Sequence, residues 1–180
     1  MTLIACTADY AAMLGKLVSS EKGMGVEAAW AFHVVKRHRS NLAVAMHERT
    51  RMGWFVPNLR KPEFPHMPDL LKELVRDTGA AMQLPEDRVR DWLDRELPED
   101  ITYVCGINRS IQSHIRQGIE FYDWSDEADY LPHSVPAWQA LSYKLLQYRP
   151  AGQKVNGRQV TFFPDQRFRE EVMTVSEASS

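Results

Sequence analysis

The stretch Trp30-Ala31-Phe32-His33-Val34-Val35-Lys36-Arg37-His38-Arg39-Ser40-Asn41-Leu42-Ala43-Val44-Ala45-Met46-His47-Glu48-Arg49-Thr50-Arg51 sets the character of the N-terminal third. Its spacing predicts helix. A segment starting at Val26 turns Trp30, Val34 and Val35 inward, and Lys36, Arg37 and Arg39 close its last turn, where cations suit the helix dipole. Ser40 caps a further helix over residues 41–51, with Leu42, Ala45 and Met46 as its apolar side. The pair reads as two helices in preference to one long bent helix. Upstream, residues 7–19 read as a first helix with Thr7 as N-cap and Tyr10, Met13, Leu14, Leu17 and Val18 buried, ended by Gly23-Met24-Gly25.

Downstream, the apolar cluster Trp54-Phe55-Val56 precedes four prolines at 57, 62, 65 and 68, which exclude helix interior and central strand and mark a surface-hugging connection. A helix from Asp69 uses Leu70, Leu71, Leu74 and Val75 and stops at Gly79 in the C′ position. Pro85 sits in the first turn of the next, over 84–97, and Pro98 ends it. Ile101–Cys105 is rich in strand formers. Asn108 or Ser110 opens a brief helix bearing Ile111 and Ile115, closed by Gly118, with a second strand over 119–124. Ser134 and Pro136 start an amphipathic helix through Trp138, Leu141, Leu145, Leu146 and Tyr148. Asn156-Gly157 between strand formers predicts a type I′ hairpin over 154–163.

The expected fold class is α+β, predominantly helical, an N-terminal helical bundle with a small antiparallel sheet in the C-terminal half. The expected organisation is a helical subdomain 1–56, a connection 57–68, a helical plus small-sheet subdomain 69–168 and a flexible tail 169–180. A single compact domain over 1–168 fits equally.

The chain has 180 residues, is 44% hydrophobic and carries a net charge of −2, enough to bury a core and too little charge for a global pull towards nucleic acid or anionic membrane. It holds no apolar run of 18 residues, and its start lacks a signal peptide's basic and apolar regions, so the expected location is cytoplasmic. Cys6 and Cys105 form no disulfide or metal framework. Charge is segregated. Residues 33–61 hold seven Lys/Arg against Glu48, residues 69–100 hold ten acids against five bases, and residues 120–130 hold five acids and no base.

The helix pair 69–79 and 84–97 resembles a homeodomain-like helix-turn-helix, with Leu84, Val89 and Trp92 at that family's spacing of packing residues. The resemblance covers about thirty residues and implies DNA reading by the second helix. This chain departs from the pattern where reading would occur. Arg95 stands at the family's adenine-reading Asn, Asp91 and Asp94 face the groove, and Pro98 removes the basic tail. Aspartates there would be repelled by phosphates.

Three functions follow as expectations. The first is a non-enzymatic interaction protein binding a protein or nucleoprotein complex through Asp123, Trp124, Asp126, Glu127, Asp129 and Tyr130, where acidic charge meets aromatic anchors. Small motif-poor chains of this kind include phage- or plasmid-type accessory and inhibitor proteins, anti-CRISPR proteins among them. The second is nucleic-acid binding through Arg37, Arg39, Arg49, Arg51, Arg88 and Arg95. The third is a cysteine-dependent enzyme with Cys105 as nucleophile, His114 or His133 as base and Asp123 or Asp126 orienting it. No His-Glu-x-x-His, Cys-x-x-Cys or phosphate-binding glycine loop occurs, so no metal, cofactor or catalytic residue is assigned.

Overall fold

The computed structural model describes residues 2–22, 28–37, 40–123 and 150–174. Its centre is a six-stranded mixed sheet, which overturns the predominantly helical expectation. Strands β1 (Thr2–Cys6), β2 (Val18–Lys22), β3 (Trp30–Arg37), β4 (Ser40–His47), β5 (Gly53–Pro57) and β6 (Ile101–Cys105) lie in the order β2-β6-β1-β3-β4-β5. The first four in that order are mutually parallel, and β4 and β5 continue as antiparallel neighbours. One sheet thus takes strands from both sides of the proline-rich connection.

Residues 30–47 fold as a hairpin in full register from Trp30↔His47 to Arg37↔Ser40. The helical spacing misled because both faces of this hairpin are covered. Trp30, Phe32, Val34, Ala43 and Ala45 enter one core, and Ala31, Leu42, Val44 and Met46 enter the other. A strand buried on both faces reads as a continuous apolar run without alternation, and such a run supplies apolar residues at any period. The β-branched and aromatic content of Trp30–Val35 is the signal that favours strand.

Helices α1 (Ala8–Leu14), α2 (Met67–Ala81), α3 (Glu86–Glu96) and α5 (Pro164–Thr174) supply the larger core, and α4 (Arg109–Asp123) lies on the opposite face. The larger core is aromatic. Trp92 meets Trp30 at 6.0 Å and Phe168 at 5.0 Å between ring centroids, and Trp54 meets Trp30 at 5.8 Å. The indoles keep polar partners, Trp30 Nε1 donating to the Glu96 carbonyl at 2.8 Å and Trp54 Nε1 to Thr78 Oγ1 at 3.0 Å. The proline-rich connection is pinned by Phe64, fully buried and edge-on to Tyr10 at 5.1 Å.

Several local expectations shift. The first helix ends at Leu14, Leu17 is exposed, and Val18 opens β2. Gly79 is inside α2, not past its end. A Cβ there would stand 2.6 Å from Val89 Cγ2, so glycine lets α2 and α3 approach. The positive φ of Gln83 then turns the chain into α3. Gly118 does not stop α4, which continues through the expected strand 119–124 to Asp123, while Asn108 Oδ1 caps it by accepting from the Ser110 amide at 2.9 Å. The hairpin of β7 (Ala151–Val155) and β8 (Arg158–Phe162) turns on Asn156 and Gly157, both at positive φ, as the Asn-Gly signal requires. Part of the expected tail is α5, which buries Phe168 and Val172. The expected helix over 134–148 and residues 175–180 fall outside the described residues.

Candidate functional site: a cleft at the strand ends and a buried charge network

In sheets with parallel strands, ligands collect beyond the carboxyl ends, where loops diverge. Here β1 and β6 end side by side, with α4 starting beyond β6. Between α4 and the sheet is a cleft of about 290 Å³. Thr7 follows β1 and Ile107 follows β6. His33 and Val35 come from β3, and Gln112, Ile115, Arg116, Ile119 and Glu120 come from α4. The Thr7 hydroxyl and His33 Nδ1 are hydrogen-bonded at 3.1 Å. Arg116 Nε donates to Glu120 Oε1 at 2.9 Å on an exposed helix surface, a pair too solvated to fix either side chain. The cleft therefore offers an apolar wall with a hydroxyl, an imidazole, an amide and the exposed Arg116–Glu120 ion pair at its margin.

On the other face, His47 ends β4 fully buried between Trp30 and Trp92, each 4.9 Å from it. Its Nδ1 accepts from the Thr50 amide at 3.4 Å and meets the Thr50 hydroxyl at 3.0 Å. The proton therefore sits on Nε2, which donates to Glu96 Oε2 at 3.3 Å. Burial lowers the His47 pKa against the opposing pull of Glu96, keeping the ring neutral. Burial alone would raise the Glu96 carboxyl. The hydrogen bonds from His47 and Arg95 and the charge of Arg49 outweigh it and bring Glu96 down to about 2. Arg49 Nη2 bridges Glu96 Oε1 at 2.6 Å and Glu171 Oε2 at 3.0 Å, tying the end of β4 to α3 and α5.

His47, Glu96 and Glu171 place one ligand atom each within 4.8 Å of one another, the described group with donors for a metal ion. Two features make it a charge network instead. The Arg49 guanidinium stands where a cation would, and the His47 lone pair points away, at Thr50. Sequence reading passed over Glu96, counting it with the solvated acids of its helix. Its place four residues after Trp92 and seven after Val89 puts it on the buried stripe, and that spacing was the available signal.

Of the arginines expected to bind nucleic acid, Arg49 and Arg95 are committed to Glu96. Arg51 is 2% exposed, with Glu48 at 3.6 Å and its Nε and Nη1 without a hydrogen-bond partner. Arg88 buries its Nη1. Arg37 ends β3 with no side-chain description, and Arg39 lies outside the described residues. Trp54 and Phe55, the apolar cluster beside these arginines in sequence, are buried in the core. Asp123 closes α4, and Trp124, Asp126, Glu127, Asp129 and Tyr130 lie outside the described residues, as does His133. Cys105 is exposed at the end of β6, and its registered neighbour is Cys6. No helix among the described residues is long and apolar enough to cross a membrane.

No curated protein and no solved structure matches the chain. A family model described as Domain of unknown function (DUF6933) matches residues 3–162, and the chain belongs to that family.

Proposed function

We propose that this protein binds a small amphipathic molecule carrying a carboxylate or phosphate group, in the cleft between α4 and the carboxyl ends of β1 and β6. The observation that carries the reading is the lining itself. Val35, Ile107, Ile115 and Ile119 form an apolar wall, and Thr7, His33, Gln112, Arg116 and Glu120 supply polar groups beside it. Ligand pockets combine a mostly apolar wall with a few placed polar groups, in volumes of roughly 300–1,000 Å³. At about 290 Å³ the cleft suits a compact ligand. Arg116, exposed and loosely paired to Glu120, is free to exchange that partner for a ligand anion.

The test is a ligand-observed NMR screen of small aromatic and aliphatic acids and phosphates against wild type, Arg116→Ala and His33→Ala. Arg116→Ala should lower affinity about tenfold, the order expected for losing one charge-assisted hydrogen bond, with the fold intact. Equal binding to wild type and both variants would reject the cleft as the site.

A further inference from the structure

Strands β1 and β6 pair in parallel register from Thr2↔Ile101 to Cys6↔Cys105. Paired residues of neighbouring strands direct their side chains to the same face. Ile4 and Tyr103, the pair two residues earlier, both enter the core shared with α1. The ladder therefore ends in two cysteines side by side on that face. Neighbouring strands lie about 4.8 Å apart, within the roughly 4.4–6.8 Å between Cα atoms that a disulfide spans. The two environments differ. Cys6 is fully buried, its Sγ 3.9 Å from the Ile4 carbonyl oxygen, and Cys105 is exposed. Burial, and then the neighbouring Cys105, push the Cys6 thiol up, so it is held protonated while Cys105 meets solutes.

We propose that Cys105 and Cys6 form a redox-active pair, an accessible attacking thiol and a buried resolving thiol, oxidised to an intramolecular disulfide by low-molecular-weight disulfides of the glutathione class. Cys105, as thiolate, attacks one sulfur of the small disulfide. A Cys105–small-thiol bond forms, the small disulfide bond breaks, and the departing thiolate takes up a proton. The Cys6 sulfur then attacks Cys105 Sγ, and its proton passes to the second small thiolate as that group is expelled as a thiol. Two protein thiols are oxidised and one small disulfide is reduced to two thiols. The new bond ties β1 to β6 next to Thr7 and Ile107, yet the inference stands independently of any ligand in the cleft.

The experiment treats the reduced, folded full chain with oxidised glutathione, quenches with acid and reads the intact mass. Wild type should lose the mass of two hydrogens and retain no glutathione, with a peptide linking Cys6 to Cys105. Cys6→Ser or Cys6→Ala should trap one glutathione on Cys105, and Cys105→Ser should give neither product. A wild-type protein that accumulates the mixed disulfide, links into dimers or stays fully reduced overturns the proposal, and this readout needs no variant to fold.

Discussion

His47 donates its Nε2 proton to Glu96 across 3.3 Å while its Nδ1 accepts from Thr50, so one neutral ring joins the end of β4 to α3 inside an aromatic core. Both partners titrate below their ordinary values, and both shifts act in the same direction on stability. The unfolded chain takes up a proton on His47 below about pH 6.5, whereas the folded ring resists it. Glu96 is protonated in the unfolded chain below about pH 4.5 and in the folded one only near 2. The contribution of this pair to stability is therefore full at pH 7. It falls first as pH drops through 6.5, and again between 4.5 and 2, the second phase amounting to at most about 3 kcal/mol. Urea unfolding from pH 7.5 to 2.5 reads this out. His47→Gln should remove the upper phase, and an upper phase that survives in this variant would contradict the assignment.

Replacing Glu96 by Gln keeps an acceptor for His47 but removes the charge facing Arg49 and Arg95. Both arginines are about half exposed, at 52% and 46%, so water recovers most of their lost pairing. The expected cost is about 1–3 kcal/mol from the buried hydrogen bonds. The variant should also lose the lower acid phase. Chemical denaturation at pH 7 measures the cost, and the change between pH 4.5 and pH 2.5 measures the acid phase.

Gly79→Ala places a methyl 2.6 Å from Val89 Cγ2, and a β-branched side chain has little freedom to withdraw. Overpacking costs about 1–3 kcal/mol, while alanine regains about 1 kcal/mol of helix propensity. A net loss of up to roughly 2 kcal/mol is expected. The double variant with Val89→Ala should lose less stability than the two single losses summed, a coupling that a double-mutant cycle reads directly.

Gly157 carries φ of +79° in the turn between β7 and β8. Gly157→Ala should weaken the hairpin by about 1 kcal/mol, because an L side chain meets its own carbonyl in that region. The loss should appear as faster amide exchange across 151–162 with little change at β1, since the two sheets are separate.

Legibility in the sequence followed how many faces of each element are covered. The helix pair α2 and α3 was readable because each helix buries one stripe and leaves the rest to solvent, with Leu71, Leu74 and Val75 on one and Val89, Trp92 and Leu93 on the other. Ile101–Cys105 and the Asn156-Gly157 hairpin were readable from β-branched content and turn chemistry. Residues 30–47 were not, because double burial erases the two-residue alternation, and parallel neighbours such as β1 and β3 are linked by no local signal. The sites were less legible still. The cleft gathers Thr7, His33, Ile107 and Gln112 from three separate stretches, and the charge network joins residues 47, 49, 96 and 171, contacts that only the tertiary fold creates.

We propose the cleft beside α4 as the place where this protein engages a ligand. The most direct measurement is a two-dimensional amide NMR titration of wild-type protein with the strongest acid or phosphate found by screening. The account expects saturable shifts concentrated at Thr7, His33, Ile107, Gln112 and Arg116, with residues around His47 and Glu96 unmoved. Shifts confined to the hairpin of β7 and β8, or to the surface of α3, would place binding elsewhere and contradict it.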